Sequence, residues 1–185
     1  MLAAATDAFC RDGYFSVSVE DIAIAAGVSR MTFYRHFSGK AGIATEIFCE
    51  NTQASMPRFL AITKHNRLDR DIVASWISQL FEADRRSGQL LRVFIQANSE
   101  ESDFTDFGHR FIEDLISELG KFMPAFALDQ AADRRRWLEA WLLMYEILDH
   151  SNHAARGVGV STDPLIIDIL ADRFLHFITV HDADE

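Results

Sequence analysis

The sequence predicts an all-α fold of about nine helices. Apolar residues recur at three- and four-residue spacing instead of alternating, and only three prolines and nine glycines punctuate 185 residues. With 49% hydrophobic and 25% charged residues, the composition is that of a packed soluble chain and is too apolar for disorder. The length suits one helical body with a small appended module and is short for two large domains.

The first helix covers Met1 to Asp12, where Leu2, Ala5 and Phe9 share a stripe beside Ala4 and Ala8, and Gly13 ends it. Ser18 stands three residues before Asp21 in an acidic form of the capping box. Val19, Ile22, Ala23 and Ala26 give the second helix its apolar face, to about Ala25. Gly27 can take the positive φ of a tight turn, Val28 can pack inward, and Ser29 can cap a short third helix from Arg30 to His36. Phe33 and Phe37 form the inner edge of that helix and leave Arg30, Thr32, Arg35 and His36 largely outward. Ser38 caps a long fourth helix from Gly39, whose Ile43, Ile47 and Phe48 continue toward Met56, with a kink or restart expected at Pro57. Five more helices are predicted over 69–86, 89–100, 104–122, 129–153 and 164–181. The breaks are Arg86-Ser87-Gly88, the acidic run 100–103, Met123-Pro124, and Gly157-Val158-Gly159 with Pro164.

The second and third helices have the spacing of a helix-turn-helix, in which one helix braces across the DNA backbone and the next enters the major groove. Each is about two turns long and cannot persist alone, so Phe9, Ile22, Val28, Phe33 and Phe37 must join the first three helices into one unit. The strings Ser18-Val19-Glu20-Asp21-Ile22-Ala23, Ala26-Gly27-Val28-Ser29 and Thr32-Phe33-Tyr34-Arg35-His36-Phe37, followed by Lys40, resemble the tetracycline-repressor (TetR/AcrR) family of bacterial regulators. The resemblance covers roughly residues 2–48, while the rest of the chain matches only in size and helix number.

That resemblance implies a DNA-binding domain over 1–48 and a helical ligand-sensing and dimerisation domain over 49–185. It also implies roles for residues. Arg30 and Met31 would face base edges, with Arg30 suited to guanine N7 and O6, and Thr32 would meet phosphate or a thymine methyl. Tyr34 and His36 would reach phosphates, as would Lys40 and Ser18 at helix N-termini. Arg35 would grip a phosphate or pair with an acid, and Ser29, besides capping, belongs to the same surface. The chain opens directly on the first helix, without the extra turn and basic arm usual in the family, so weaker and less salt-dependent binding is expected.

The net charge of −10 excludes a general nucleic-acid binder, but the acid lies mostly downstream of residue 50, and Arg30, Arg35 and Lys40 form a local basic patch. Trp137 to Leu148 is apolar around nearly its whole circumference, and the last helix carries Leu165, Ile166, Ile169, Leu170, Phe174, Phe177 and Ile178. Both are broader than one core-facing stripe, which suggests a homodimer through the last two helices. Trp76, Phe94, Phe107, Phe111, Trp137, Trp141 and Tyr145 are candidates to line a pocket for a small-molecule effector of unidentified chemistry, with core packing the alternative for each. Glu146, His150 and His153 share one helix face, a pattern more often made by histidines beside a helix C-terminus than by metal ligands, and no metal or cofactor is expected.

Cys10 and Cys49 stand far apart, with no CxxC pair, which fits a reducing compartment. No secretory leader or membrane span is evident, so a cytoplasmic protein is expected. The sequence has no Glu-x-x-His, no GxSxG and no phosphate-cradling glycine loop, and an enzyme is not expected. The expected function is a ligand-responsive regulator binding double-stranded operator DNA, a repressor released by a small molecule. The alternative is a helical sensor or adaptor of the same fold that no longer binds DNA.

Overall fold

The computed structural model describes residues 1–98 and 103–182. Its α-helices are α1 (Leu2–Asp12), α2 (Val19–Ala25), α3 (Arg30–His36), α4 (Lys40–Phe59), α5 (Arg70–Arg86), α6 (Gly88–Asn98), α7 (Asp103–Gly120), α8 (Arg134–Ala155) and α9 (Leu165–Asp182). Among the described residues there is no strand, and no helix is long and apolar enough to cross a membrane. The all-α expectation holds.

Most local departures from the expected helices have identifiable causes. Pro57 lies inside α4, close enough to its end that the helix runs to Phe59 and then tightens into a 3-10 turn, Leu60–Lys64. α7 stops at Gly120, short of Phe122, where the chain folds back so closely that a Cβ on Gly120 would lie 2.5 Å from the Phe126 carbonyl oxygen. α8 begins at Arg134 and not at Asp129, because the Asp129 carboxylate accepts the N–H groups of Ala131 and Ala132, both at 2.8 Å. That local turn competes with helix initiation. The predicted end of the sixth helix at Glu100 and most of the acidic break lie outside the described residues.

The chain packs as two compact units, Met1–Ala54 with Ser87–His109, and Ser55–Arg86 with Arg110–Glu185. The first unit is larger than residues 1–48, because α6 packs on α1 and sends Val93, Phe94 and Ala97 into the same core as Phe9, Tyr14, Ile22, Phe33, Ile43 and Ile47. The Phe94 ring meets Phe48 edge-on at 4.8 Å, and the Tyr14 N–H donates to Gln96 Oε1 at 3.0 Å. In the second unit, α5 packs against both α8 and α9. Its core joins Trp76, Ile77 and Phe81 of α5 to Phe126, Leu143, Met144 and Phe174. A polar pair crosses this interface, where the buried Ser151 hydroxyl donates to Asp84 Oδ2 at 2.6 Å.

Candidate nucleic-acid interface

The candidate surface is built from the caps upward. The Ser18 hydroxyl accepts the Asp21 N–H at 3.1 Å, while the Asp21 carboxylate accepts the Ser18 N–H at 2.9 Å and its hydroxyl at 2.6 Å. This reciprocal pair starts α2 as the sequence predicts. It also holds the Asp21 carboxyl below the usual carboxylate range. At the turn, Gly27 takes φ +66°, where a side chain would be strained, and the Val28 N–H donates to the Ala23 carbonyl at 2.9 Å. Ser29 then caps α3, accepting the Thr32 N–H at 3.1 Å.

α3 is two-faced. Phe33 is fully buried, with Phe37 packed 5.5 Å from it, so the inner edge is fixed in the core. Arg30, Met31, Tyr34, Arg35 and His36 are exposed, and Met31 keeps 76% of its surface open. A methionine left in water on a seven-residue helix gains nothing for folding. Of the nine residues expected to form the surface, Ser18 and Ser29 are exposed but occupied as caps, and Thr32 is half-buried with its hydroxyl 3.0 Å from that of Ser29.

Arg30 and Lys40 are also engaged by the protein itself. The Arg30 guanidinium pairs with the Glu20 carboxylate of α2 and lies 5.8 Å from the Tyr34 ring centroid. Lys40 Nζ donates to the Tyr14 carbonyl at 3.0 Å and sits 4.3 Å above the Tyr14 ring, tying the start of α4 to the α1–α2 connection. The sequence reading missed both partners. Glu20 and Arg30 are ten positions apart across a turn, and no spacing rule on one helix links them.

The seven aromatic candidates are spread over both units. Phe94 belongs to the core of the first unit, and Phe107 is half-buried. In the second unit Phe111 packs edge-on against Phe59, and Trp76 donates to the Arg58 carbonyl at 3.1 Å while lining a cavity of about 350 Å³. Trp137 lines a separate cavity of about 440 Å³ with Phe126 and Leu128. Trp141 and Tyr145 stack on each other at 5.2 Å on the outer side of α8, with Tyr145 exposed. Elementary volume explains the scatter, since large apolar rings fill whichever core is nearest.

The histidine face has other partners: Glu146 pairs with Arg173 at 3.1 Å, His150 Nδ1 lies 2.8 Å from the Ser161 hydroxyl, and His153 Nδ1 lies 2.8 Å from the Asp149 carbonyl. Among the described residues no group of three His, Cys, Asp or Glu is placed to hold a metal.

With this geometry in hand, residues 1–47 match the model of the family described as bacterial regulatory proteins, tetR family. The N-terminal module is similar to that of the TetR family. No curated protein sequence matches the chain. Among solved structures, the TetR-like fold recurs along nearly the whole chain. A candidate transcriptional regulator, SCO7518, from Streptomyces coelicolor A3(2) is 21% identical with a TM-score of 0.68, covering 96% of this chain and 95% of its own. A candidate TetR-family regulator from Mesorhizobium loti is 19% identical with a TM-score of 0.64, covering 97% and 93%. The regulator FadR from Bacillus subtilis, solved with stearoyl-CoA, is 16% identical with a TM-score of 0.55, covering 96% of each chain.

Proposed function

We propose that the chain is a sequence-specific, DNA-binding transcriptional regulator that acts in the cytoplasm as a homodimer and releases its operator when a small molecule binds. One observation carries the reading: a TetR-like module in which the third helix anchors Phe33 in the core and leaves Arg30, Met31, Tyr34, Arg35 and His36 open to a duplex. In this reading Arg30 and Met31 meet base edges, and Tyr34, Arg35 and His36 meet phosphates. Ser18, Ser29, Thr32 and Lys40 flank them with whatever donor capacity their internal hydrogen bonds leave.

Support for the dimer comes from α8 and α9. Leu138, Leu142 and Tyr145 on α8, and Leu165, Ile169 and Val180 on α9, are exposed in the single chain although both helices already bury a full apolar face. A second copy would cover them, and a twofold axis would set two recognition helices about 34 Å apart for successive major grooves. Support for an effector is the FadR neighbour with its bound stearoyl-CoA, together with cavities in the second unit; the effector of this chain is a small molecule of unassigned chemistry.

The test is selection from a random duplex library, followed by fluorescence anisotropy on the enriched sequence over a range of salt. A regulator enriches a two-half-site sequence and loses affinity as salt rises. A chain that enriches nothing and retards no duplex is a sensor or adaptor on the same fold.

A further inference from the structure

Arg30 does not stand free on the reading helix. Its guanidinium is ion-paired with Glu20 and lies 5.8 Å from the Tyr34 ring centroid, yet 59% of the side chain remains exposed. An acid within reach of a residue meant for DNA is not what phosphate binding calls for, because its charge repels every duplex alike. We propose that Glu20 is a specificity-setting positioning residue, which holds the Arg30 guanidinium off the phosphate backbone and presents its free donors to a base edge. The proposal rests on the DNA-reading assignment above and adds to it a residue with no contact of its own to bases or phosphates.

Phosphates and the Glu20 carboxylate compete for the same guanidinium. A flexible, unpaired arginine accepts any phosphate, and that contact is independent of sequence. With Glu20 on one terminal nitrogen, a lone phosphate oxygen offers Arg30 little that the carboxylate does not already give. A guanine offers two acceptors, N7 and O6, to donors that Glu20 leaves free, so the base contact can form without breaking the ion pair. Tyr34 limits rotation of the guanidinium plane, so fewer orientations are lost when the base is met. Since both partners are well exposed, the pair contributes little to folding, and removing it reads out binding.

The experiment compares wild type, Glu20→Ala, Glu20→Gln, Arg30→Lys and the double variant Glu20→Ala/Arg30→Lys on the library-enriched duplex and on poly(dI-dC), across salt. Far-UV circular dichroism and the thermal midpoint establish that each is folded. Glu20→Ala is expected to tighten poly(dI-dC) binding several-fold and to steepen its salt dependence by about one phosphate contact. It should also lower the ratio of enriched to arbitrary affinity about tenfold, with base preference flattened at one position per half-site. In the Arg30→Lys background the same change should leave that ratio where it is. An unchanged ratio and salt slope would overturn the proposal, as would a uniform loss on both duplexes or misfolding of both Glu20 variants, either of which assigns Glu20 to the fold. If wild type itself enriches no sequence, the DNA-reading assignment fails first, a result separable from a wild type that selects and a Glu20 variant that selects identically.

Discussion

At the scale of single residues, charge and environment disagree at Asp84. Its half-buried carboxyl is pushed above the usual carboxylate range by loss of solvent, and the Ser151 hydrogen bond and the nearby Arg58 offset this only in part. A carboxyl raised in the folded state gives stability that is complete below its ordinary value of 3.8 and is lost as pH rises through the elevated one. Asp84→Asn, which keeps an acceptor for Ser151, is therefore expected to raise the thermal midpoint at pH 7, with the gain shrinking toward pH 4 in a calorimetric series. Ser151→Ala removes the donor and should cost about 1–3 kcal/mol in urea unfolding. On the reading helix, Arg30→Ala is expected to weaken the enriched duplex by about 1–3 kcal/mol, and to act mainly at one base position. None of these pairings is visible in the sequence. Asp84 and Ser151 are 67 positions apart, Lys40 and Tyr14 are 26, and only folding brings them together.

At the scale of elements, the caps were the most legible features because they are local. Ser18 with Asp21, Ser29 with Thr32, and the turn at Gly27 each span four residues or fewer, and their chemistry is independent of the rest of the chain. The start of α8 departs from the expected 129 for a related reason, since the Asp129 carboxylate closes a turn of its own. Ser29→Ala should cost about 1 kcal/mol of stability in the N-terminal unit, measured by hydrogen exchange at α3 amides. For α2, the depressed Asp21 carboxyl implies the opposite pH sense to Asp84. Its contribution is present above the ordinary value of 3.8 and disappears as pH falls through the lower folded value, so Asp21→Asn should flatten the acid limb of the stability curve. Phe33→Ala, which empties the fully buried anchor of α3, is expected to cost about 3–5 kcal/mol.

At the scale of the whole molecule, the all-α class and nearly every helix were readable from apolar period, whereas the assignment of helices to units was not. Periodicity says which face of a helix is buried and is silent about which core receives it, so nothing in the sequence places α6 and its Phe94 in the first unit. The proposed dimer makes a direct prediction: Leu142→Asp together with Ile169→Asp should leave a folded monomer by light scattering and weaken the enriched duplex, whereas an unchanged mass would remove α8 and α9 as the interface. The compact unit that holds α3 is discontinuous, because residues 87–109 return to it after an excursion through α5. A fragment ending at Ala54 is accordingly expected to show little helix by circular dichroism, since Gln96 and Phe94 are missing from Tyr14 and Phe48. Anyone building a chimeric biosensor by splicing a new sensory body after residue 48 would transplant a recognition head without its seal. A graft that works must carry two cassettes, and the donor sequence must supply the second one mid-chain.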